Sequence, residues 1–134
     1  MDIGSVIADG TVYVGSSPDS GEPLFAARED MPMLLTWHQA KLVLSPGLVF
    51  NNNADWRLPT ENELNLLCEH KHQGAFRSTF NESDSESEGR YWSSSADTDY
   101  LGYAVAQQFQ NGYQVWQRKS CKARVRPVRT GIPL

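Results

Sequence analysis

The sequence predicts an α+β domain in which two helices come early and an antiparallel sheet comes late. Thr60 and Glu63 have the spacing of a capping box at a helix start. Asn111-Gly112 separates two β-prone segments and is typical of a tight hairpin turn. The 134 residues, 40% of them hydrophobic, suffice for one core. We therefore expect residues 1–134 to form a single domain.

The N-terminal segment predicts a β-hairpin followed by a loop. Residues 6–8 and 11–14 are β-prone and flank the turn dipeptide Asp9-Gly10. Residues 15–33 are rich in glycine and proline, which predicts a long surface loop. We also expect the hairpin to pair with the last strand and bring the two ends of the chain together.

Two helices are predicted in the middle of the chain. Thr36 is a candidate N-cap for a helix over residues 37–44, and the Pro-Gly pair at residues 46–47 is expected to end it. The capping box at Thr60 predicts a second helix over residues 61–72, ended by a glycine shortly after.

The second half predicts a loop and then the sheet. Residues 75–90 are rich in serine and acidic residues, which is typical of a mobile, solvated loop. A strand is predicted over residues 91–95, a hairpin over residues 103–110 and 113–118, and a last strand over residues 123–129.

The hairpin register predicts which side chains are open to a ligand. A two-residue turn places Gln110 opposite Tyr113 and Gln108 opposite Val115. Faces alternate along each strand, so Gln108, Gln110 and Tyr113 are expected on the open face. Trp116 is expected on the core side of the hairpin.

Charge and hydropathy bear on the class of partner. The net charge of −4 disfavours nucleic acid as a partner. No apolar run approaches the roughly 20 residues of a membrane span, so no membrane insertion is predicted. The first residues lack a basic region and a long apolar core, so no signal peptide is visible.

Metal and catalytic motifs are weak. Cys68 and His72 have the spacing of one helix face and half a zinc site, but no second pair accompanies them. The acidic run at residues 84–88 lacks the final glutamate of a calcium loop. We predict no metal, no cofactor and no catalytic residues, since no known nucleophile pattern is present. A disulfide between Cys68 and Cys121 is left open, because its geometry is not readable from sequence.

Half of the twelve basic residues lie near the C-terminus. They are Arg118, Lys119, Lys122, Arg124, Arg126 and Arg129. This cluster could attract a sulfated polysaccharide or another polyanion. The favoured interpretation is structural for Arg126 and Arg129, and Arg126 could form a two-pronged ion pair to Glu61 or Glu63.

Four segments, in order, resemble a known bacterial and phage family. They are Trp56-Arg57-Leu58-Pro59-Thr60 with Glu63, Tyr91-Trp92-Ser93-Ser94-Ser95, Phe109 with Gly112, and Val125-Arg126-Pro127-Val128-Arg129. The chain is similar over nearly its whole length to the Lcl C-terminal domain family. The resemblance implies a C-type-lectin-like fold of the formylglycine-generating-enzyme and tropism-determinant branch, with two helices packed on a small twisted antiparallel sheet with long loops. It also implies a surface, secreted or phage virion protein.

The resemblance favours binding over chemistry. The related oxidising enzymes use two neighbouring cysteines near the domain end, where Cys121 stands alone. We therefore expect a non-catalytic module that recognises a glycan or a protein. The alternatives are an assembly domain of a phage tail or surface appendage, in which an oligomer is possible, and a cryptic enzyme. The residues predicted to bind a ligand are Tyr100, Tyr103, Gln108, Gln110, Tyr113 and Arg118. The residues predicted to be structural are Trp56, Thr60, Glu63, Trp92 and Arg126.

Overall fold

The computed structural model describes residues 1–44, 49, 53–96 and 99–131, and it has an α+β fold. The elements are β1 Val12–Ser16, β2 Pro23–Ala26, α1 Trp37–Val43, α2 Glu61–Glu69, a 3-10 turn Gly74–Phe76, β3 Arg90–Ala96, β4 Tyr103–Gln108, β5 Gln114–Arg118 and β6 Val128–Thr130. The predicted fold class is confirmed. The helix stop expected at residues 46–47 lies outside the described residues.

Strands β1, β2 and β6 form the first antiparallel sheet, in that order. The prediction of a loop over residues 15–33 is wrong at β2, where the apolar side chains following Pro23 are buried. Proline at the first position of a strand removes no interior ladder bond, so it did not exclude this strand. Residues 6–8 add only a bridge between Val6 and Val12. The prediction that the N-terminal hairpin pairs with the last strand is wrong, because β6 pairs with β2 and β1 lies on the other side of β2.

Both predicted helix starts are confirmed, and each carries a capping box. Thr36 is paired with Gln39 at α1, and Thr60 with Glu63 at α2. Helix α2 ends at Glu69, earlier than predicted, because the chain must turn to bring Gly74 onto Gly4. A Cβ at Gly74, whose φ is +53°, would lie 2.5 Å from the Gly4 carbonyl oxygen.

Strands β3, β4 and β5 form the second antiparallel sheet, with β4 in the centre. Its hairpin has Gln107 opposite Gln114, so the predicted register is wrong by two positions. The turn is a four-residue loop over residues 109–112. In this loop the backbone angle φ is +80° at Gly112 and negative at Asn111. Phe109 explains the difference, because its fully buried side chain leaves the ladder to enter the core.

A buried aromatic cluster accounts for the register change in the hairpin and also holds the loop over residues 75–90. The Phe109 ring lies 4.3 Å from Tyr91 and 4.9 Å from Phe80, centroid to centroid. Phe76 is fully buried in the same cluster. Residues 75–90 are irregular, as predicted, but the expectation of a solvated loop is wrong at Phe76 and Phe80, where aromatic side chains anchor it.

Trp56 and Trp92 are buried, at 3% and 0% exposure, as the structural prediction required. Both belong to an apolar cluster that connects helix α1 to the second sheet. The Trp92 indole N–H donates to the Leu35 carbonyl at 2.8 Å. The two tryptophans therefore pack the helix against the sheet.

Arg126 is structural, but its predicted partner is wrong. It is fully buried and donates through Nε to Asp30 at 2.9 Å and through Nη2 to the Thr79 carbonyl at 2.6 Å. Burial lowers the pKa of Arg126, and the Asp30 carboxylate opposes this effect. Glu63 instead accepts two hydrogen bonds from Arg57, at 2.6 and 2.8 Å.

Candidate functional site

A groove of about 560 Å³ runs along the free edge of β5, and we call it the hairpin groove. It is lined by Glu86, Ser87, Arg90, Tyr103, Trp116, Gln117, Arg118, Cys121 and Lys122. Its residues come from β5, from the ends of β3 and β4, and from the loops beside them. Three strands of the second sheet therefore contribute to the groove, and the serine-rich loop adds Glu86 and Ser87.

The aromatic wall of the groove follows from the hairpin register. Trp116 lies opposite Val105, which is buried in the sheet, while Trp116 itself is 55% exposed. The prediction that Trp116 belongs to the core is therefore wrong. Tyr103 lies opposite Arg118, and the guanidinium carbon of Arg118 is 6.0 Å from the Tyr103 ring centroid. Together the two aromatic side chains offer an apolar surface beside a cation.

A buried row of amides leads into the groove. Arg90 donates through Nε to Gln108 at 2.9 Å and through Nη1 to Gln117 at 2.8 Å. Gln108 in turn donates through Nε2 to the backbone carbonyls of Ser83 and Ser85. Gln108 is 5% exposed, so the prediction that it lies on an open face is wrong. The central strand β4 is covered on both sides, which removes Gln108 from the surface.

The side-chain amide of Gln117 is only partly hydrogen-bonded. Its oxygen is bound by Arg90, but within the described part of the chain its Nε2 has no hydrogen-bond partner. The side chain is 5% exposed and lines the groove. A buried donor left without a partner costs about 1–3 kcal/mol, so an acceptor supplied there would be stabilising.

The charges of the groove favour an electron-rich ligand. Arg90, Arg118 and Lys122 line it, against the single acidic residue Glu86 in the described lining. Guanidinium groups donate in a fixed planar geometry that suits vicinal hydroxyls and carboxylates. The groove therefore combines aromatic faces, a free amide donor and cations.

The other predicted ligand residues lie elsewhere. Tyr113, 70% exposed, and Gln110 are at the hairpin tip. Tyr100, 68% exposed, lies in the turn before β4. Of the six predicted residues, the groove brings together Tyr103 and Arg118. Sequence reasoning gave no ligand role to Arg90 and Gln117, placed Trp116 in the core, and named Lys122 only within the C-terminal basic cluster.

The two cysteines are free. Cys68 is buried with its Sγ 4.0 Å from the Phe109 carbonyl oxygen, and burial raises its pKa. Cys121 is exposed in the hairpin groove. His72 lies beyond the end of α2 and contacts Glu82 at 3.0 Å, so it shares no helix face with Cys68. Among the described residues, no group of three potential metal ligands comes together.

A larger cleft of about 610 Å³ lies over Asp30 and is bordered by Arg28, Met31 and Thr79. Asp30 is already engaged, since it accepts from Arg126 at 2.9 Å and from the Tyr91 hydroxyl at 2.7 Å. Burial raises the pKa of Tyr91 far above its ordinary value, and the Asp30 carboxylate adds to this effect. The Asp30 carboxylate at this cleft therefore already has two partners within the fold.

Comparisons with known proteins support the family assignment. A family model described as the Lcl C-terminal domain matches residues 22–129, which include both helices, strands β2 to β5 and most of β6. No curated protein matches the chain. None of the helices in the described ranges combines the length and apolar character needed to cross a bilayer.

Proposed function

The chain belongs to the Lcl C-terminal domain family, and from this premise we propose that it is a non-catalytic module that binds a carbohydrate in the hairpin groove. The observation that carries the proposal is Gln117 Nε2, which has no partner among the described residues and belongs to a groove that the exposed Trp116 also lines. Sugars present C–H faces that pack on aromatic rings and hydroxyls that accept from amides. Both requirements meet within one groove.

The floor of the groove is preorganised for binding. Arg90 holds the Gln117 oxygen at 2.8 Å, so the Gln117 side chain is held in place without further ordering. Arg90 is itself held by Gln108, which is fixed to two loop carbonyls. Groups that are already ordered lose little entropy on binding, which favours affinity. Trp116 and Arg118 remain exposed above this floor for contact with a ligand.

The carboxylates that line the groove are too few for the usual hydrolysis of a glycosidic bond. Hydrolysis of a glycosidic bond ordinarily requires two carboxylates on opposite sides of the scissile bond. Glu86 is the one carboxylate among the described lining residues, and it is exposed on a loop. Recognition without bond cleavage therefore fits the groove better.

A glycan array tests the proposal by comparing two variants in which an aromatic residue is replaced by alanine. Trp116→Ala removes the aromatic wall, and Tyr113→Ala removes a similarly exposed ring at the hairpin tip, outside the groove. We expect binding by the wild type, loss with Trp116→Ala and retention with Tyr113→Ala, with thermal stability unchanged in both. Loss with Tyr113→Ala alone would move the site to the tip. No glycan bound by the wild type would overturn the carbohydrate proposal.

A second candidate function is assembly within a larger structure. It is favoured by the adjacent side chains of Tyr100 and Leu101, which are 68% and 75% exposed. Leu101 also borders a second cleft of about 550 Å³ beside Tyr103. Sedimentation equilibrium of the wild type and Leu101→Ser tests it: a concentration-dependent oligomer lost in the variant supports assembly, and a monomer throughout rejects it.

A further inference from the structure

Cys121 occupies a defined position in the hairpin groove. It follows strand β5, and its backbone N–H donates to the Arg118 carbonyl at 3.0 Å, which closes a turn at this end of the groove. Cys121 is exposed, whereas Cys68 is buried in the core. The groove therefore contains the accessible thiol of the chain, within reach of its cations.

We infer that Cys121 is a thiol–disulfide exchange site for small disulfides that carry carboxylates, and that the adduct lies in the hairpin groove. The Cys121 thiolate attacks one sulfur of the disulfide, so that a new S–S bond forms as the old one breaks. The departing half leaves as a thiolate and takes up the proton that Cys121 released. The inference rests on the proposed function in one respect, since the adduct would compete with a sugar for the groove.

Two independent features of the groove point to a carboxylate. Gln117, 5% exposed, has an Nε2 without an acceptor in the described chain. Arg118 and Lys122 flank Cys121 in sequence and line the same groove. A carboxylate can accept from the amide and pair with either cation, and such charge-assisted hydrogen bonds are stronger than neutral ones.

The size of the groove also suits such an adduct. Its volume of about 560 Å³ lies within the range of small-molecule sites, which is roughly 300–1,000 Å³. A tripeptide joined through a disulfide is a ligand of this class. The Trp116 ring provides an apolar wall for its backbone, so the adduct can be held along its length.

The first test compares disulfides of opposite charge on the full chain. The reduced protein is mixed with glutathione disulfide, which is anionic, or with cystamine, which is cationic, and intact mass follows the adduct. We expect glutathione disulfide to react about tenfold faster at low ionic strength, with the ratio falling towards one as salt screens the groove. Cys121→Ser should form no adduct. Equal rates at low salt, or an adduct on Cys68, would overturn the inference.

A matched pair of charge variants separates the groove from the net charge. Arg118→Gln/Lys122→Gln removes two groove cations, and Arg28→Gln/Arg77→Gln removes two exposed cations elsewhere. We expect the first variant to lose most of the preference for glutathione disulfide and the second to keep it. Equal effects of the two variants would show that only net charge matters and would refute a site.

The position of the adduct is tested by NMR of the side-chain amides. Glutathione on Cys121 should shift the Gln117 amide signals and the Trp116 indole signal, whereas an S-methylthio group, which lacks carboxylates, should leave Gln117 in place. Identical spectra for the two adducts would refute occupancy of the groove. None of these readouts uses a sugar, so a failed glycan array would reject the proposed function and leave this inference standing.

Discussion

Replacing Glu63 with glutamine should be among the most damaging conservative changes in this chain. The side chain is 1% exposed and accepts from Arg57 twice, from Ser17 Oγ at 2.6 Å and from the Thr60 backbone N–H at 2.9 Å. Glutamine has one acceptor oxygen, and in either orientation its NH₂ group faces one Arg57 nitrogen together with the Thr60 N–H or the Ser17 hydroxyl. One partner therefore becomes a buried or half-buried donor without an acceptor.

The expected cost is about 3 kcal/mol. Breaking a buried ion pair by removing one partner costs roughly 3–5 kcal/mol, but Arg57 is 38% exposed and solvent screens part of its charge. Urea denaturation at pH 7 measures the difference. Glu61→Gln makes the same chemical change at a neighbouring, less buried position and should cost under about 1 kcal/mol.

The effect of pH supplies a second check on Glu63. Burial alone would raise its pKa, but the hydrogen bonds from Arg57, Ser17 and Thr60 outweigh burial and lower the pKa below the ordinary value of 4.5. The carboxylate therefore stabilises the fold above that value, and its contribution is lost as pH falls through the lowered pKa. The gap between wild type and Glu63→Gln should narrow in acid. A gap below about 0.5 kcal/mol at pH 7, or one independent of pH, would refute the reasoning.

Three further changes test other parts of the fold by the same denaturation assay. Trp56→Ala should cost about 3–5 kcal/mol as a core truncation, and a loss below about 1 kcal/mol would show that the site tolerates a cavity. Gly89→Ala should cost about 1–3 kcal/mol, because a Cβ there would lie 2.1 Å from the Ser83 carbonyl oxygen; unchanged stability would mean that the loop yields freely. Arg126→Met should cost about 3–5 kcal/mol by leaving Asp30 without its cation, and Asp30→Asn/Arg126→Met should recover part of that loss. A double variant as unstable as the sum of the two single ones would argue against a coupled pair.

Local sequence signals predicted the helix starts well. A capping box depends on residues only three positions apart, so the boxes that begin at Thr36 and Thr60 could be predicted from the local sequence. The buried tryptophans were predictable for a similar reason, since a large apolar side chain next to a helix start has few alternatives to burial. The family resemblance added the order of the segments.

Signals that depend on distant contacts were less readable. The Asn111-Gly112 pair favours a two-residue turn, but Phe109 stabilises a longer one by entering an aromatic cluster formed by residues far along the chain. That change shifted the register of the hairpin by two positions. Likewise, Arg126 lies close in sequence to no acid, and its partner Asp30 is 96 residues away. The periodicity of hydrophobic residues does not predict ion pairs between residues so far apart in sequence.

The candidate groove illustrates the same division. Tyr103 and Arg118 were predicted as ligand residues from their chemistry, and the structure places them on opposite strands of one hairpin. Gln117 was not predicted, because its importance lies in an unmet hydrogen bond that exists only once Arg90 and the sheet are in place. Whether a buried polar group finds a hydrogen-bond partner depends on tertiary packing, so it cannot be predicted from a sequence motif.

The free edge of β5 has a consequence for the behaviour of the protein at high concentration. An edge strand offers unpaired backbone groups that could join the same strand of another molecule into a continuous sheet. Here Arg118 ends the strand and Lys119 follows it, both beside the exposed Trp116. Two such edges approaching one another would bring like charges together, and this repulsion weakens with salt. The domain should therefore stay dispersed at low ionic strength and self-associate first in concentrated electrolyte.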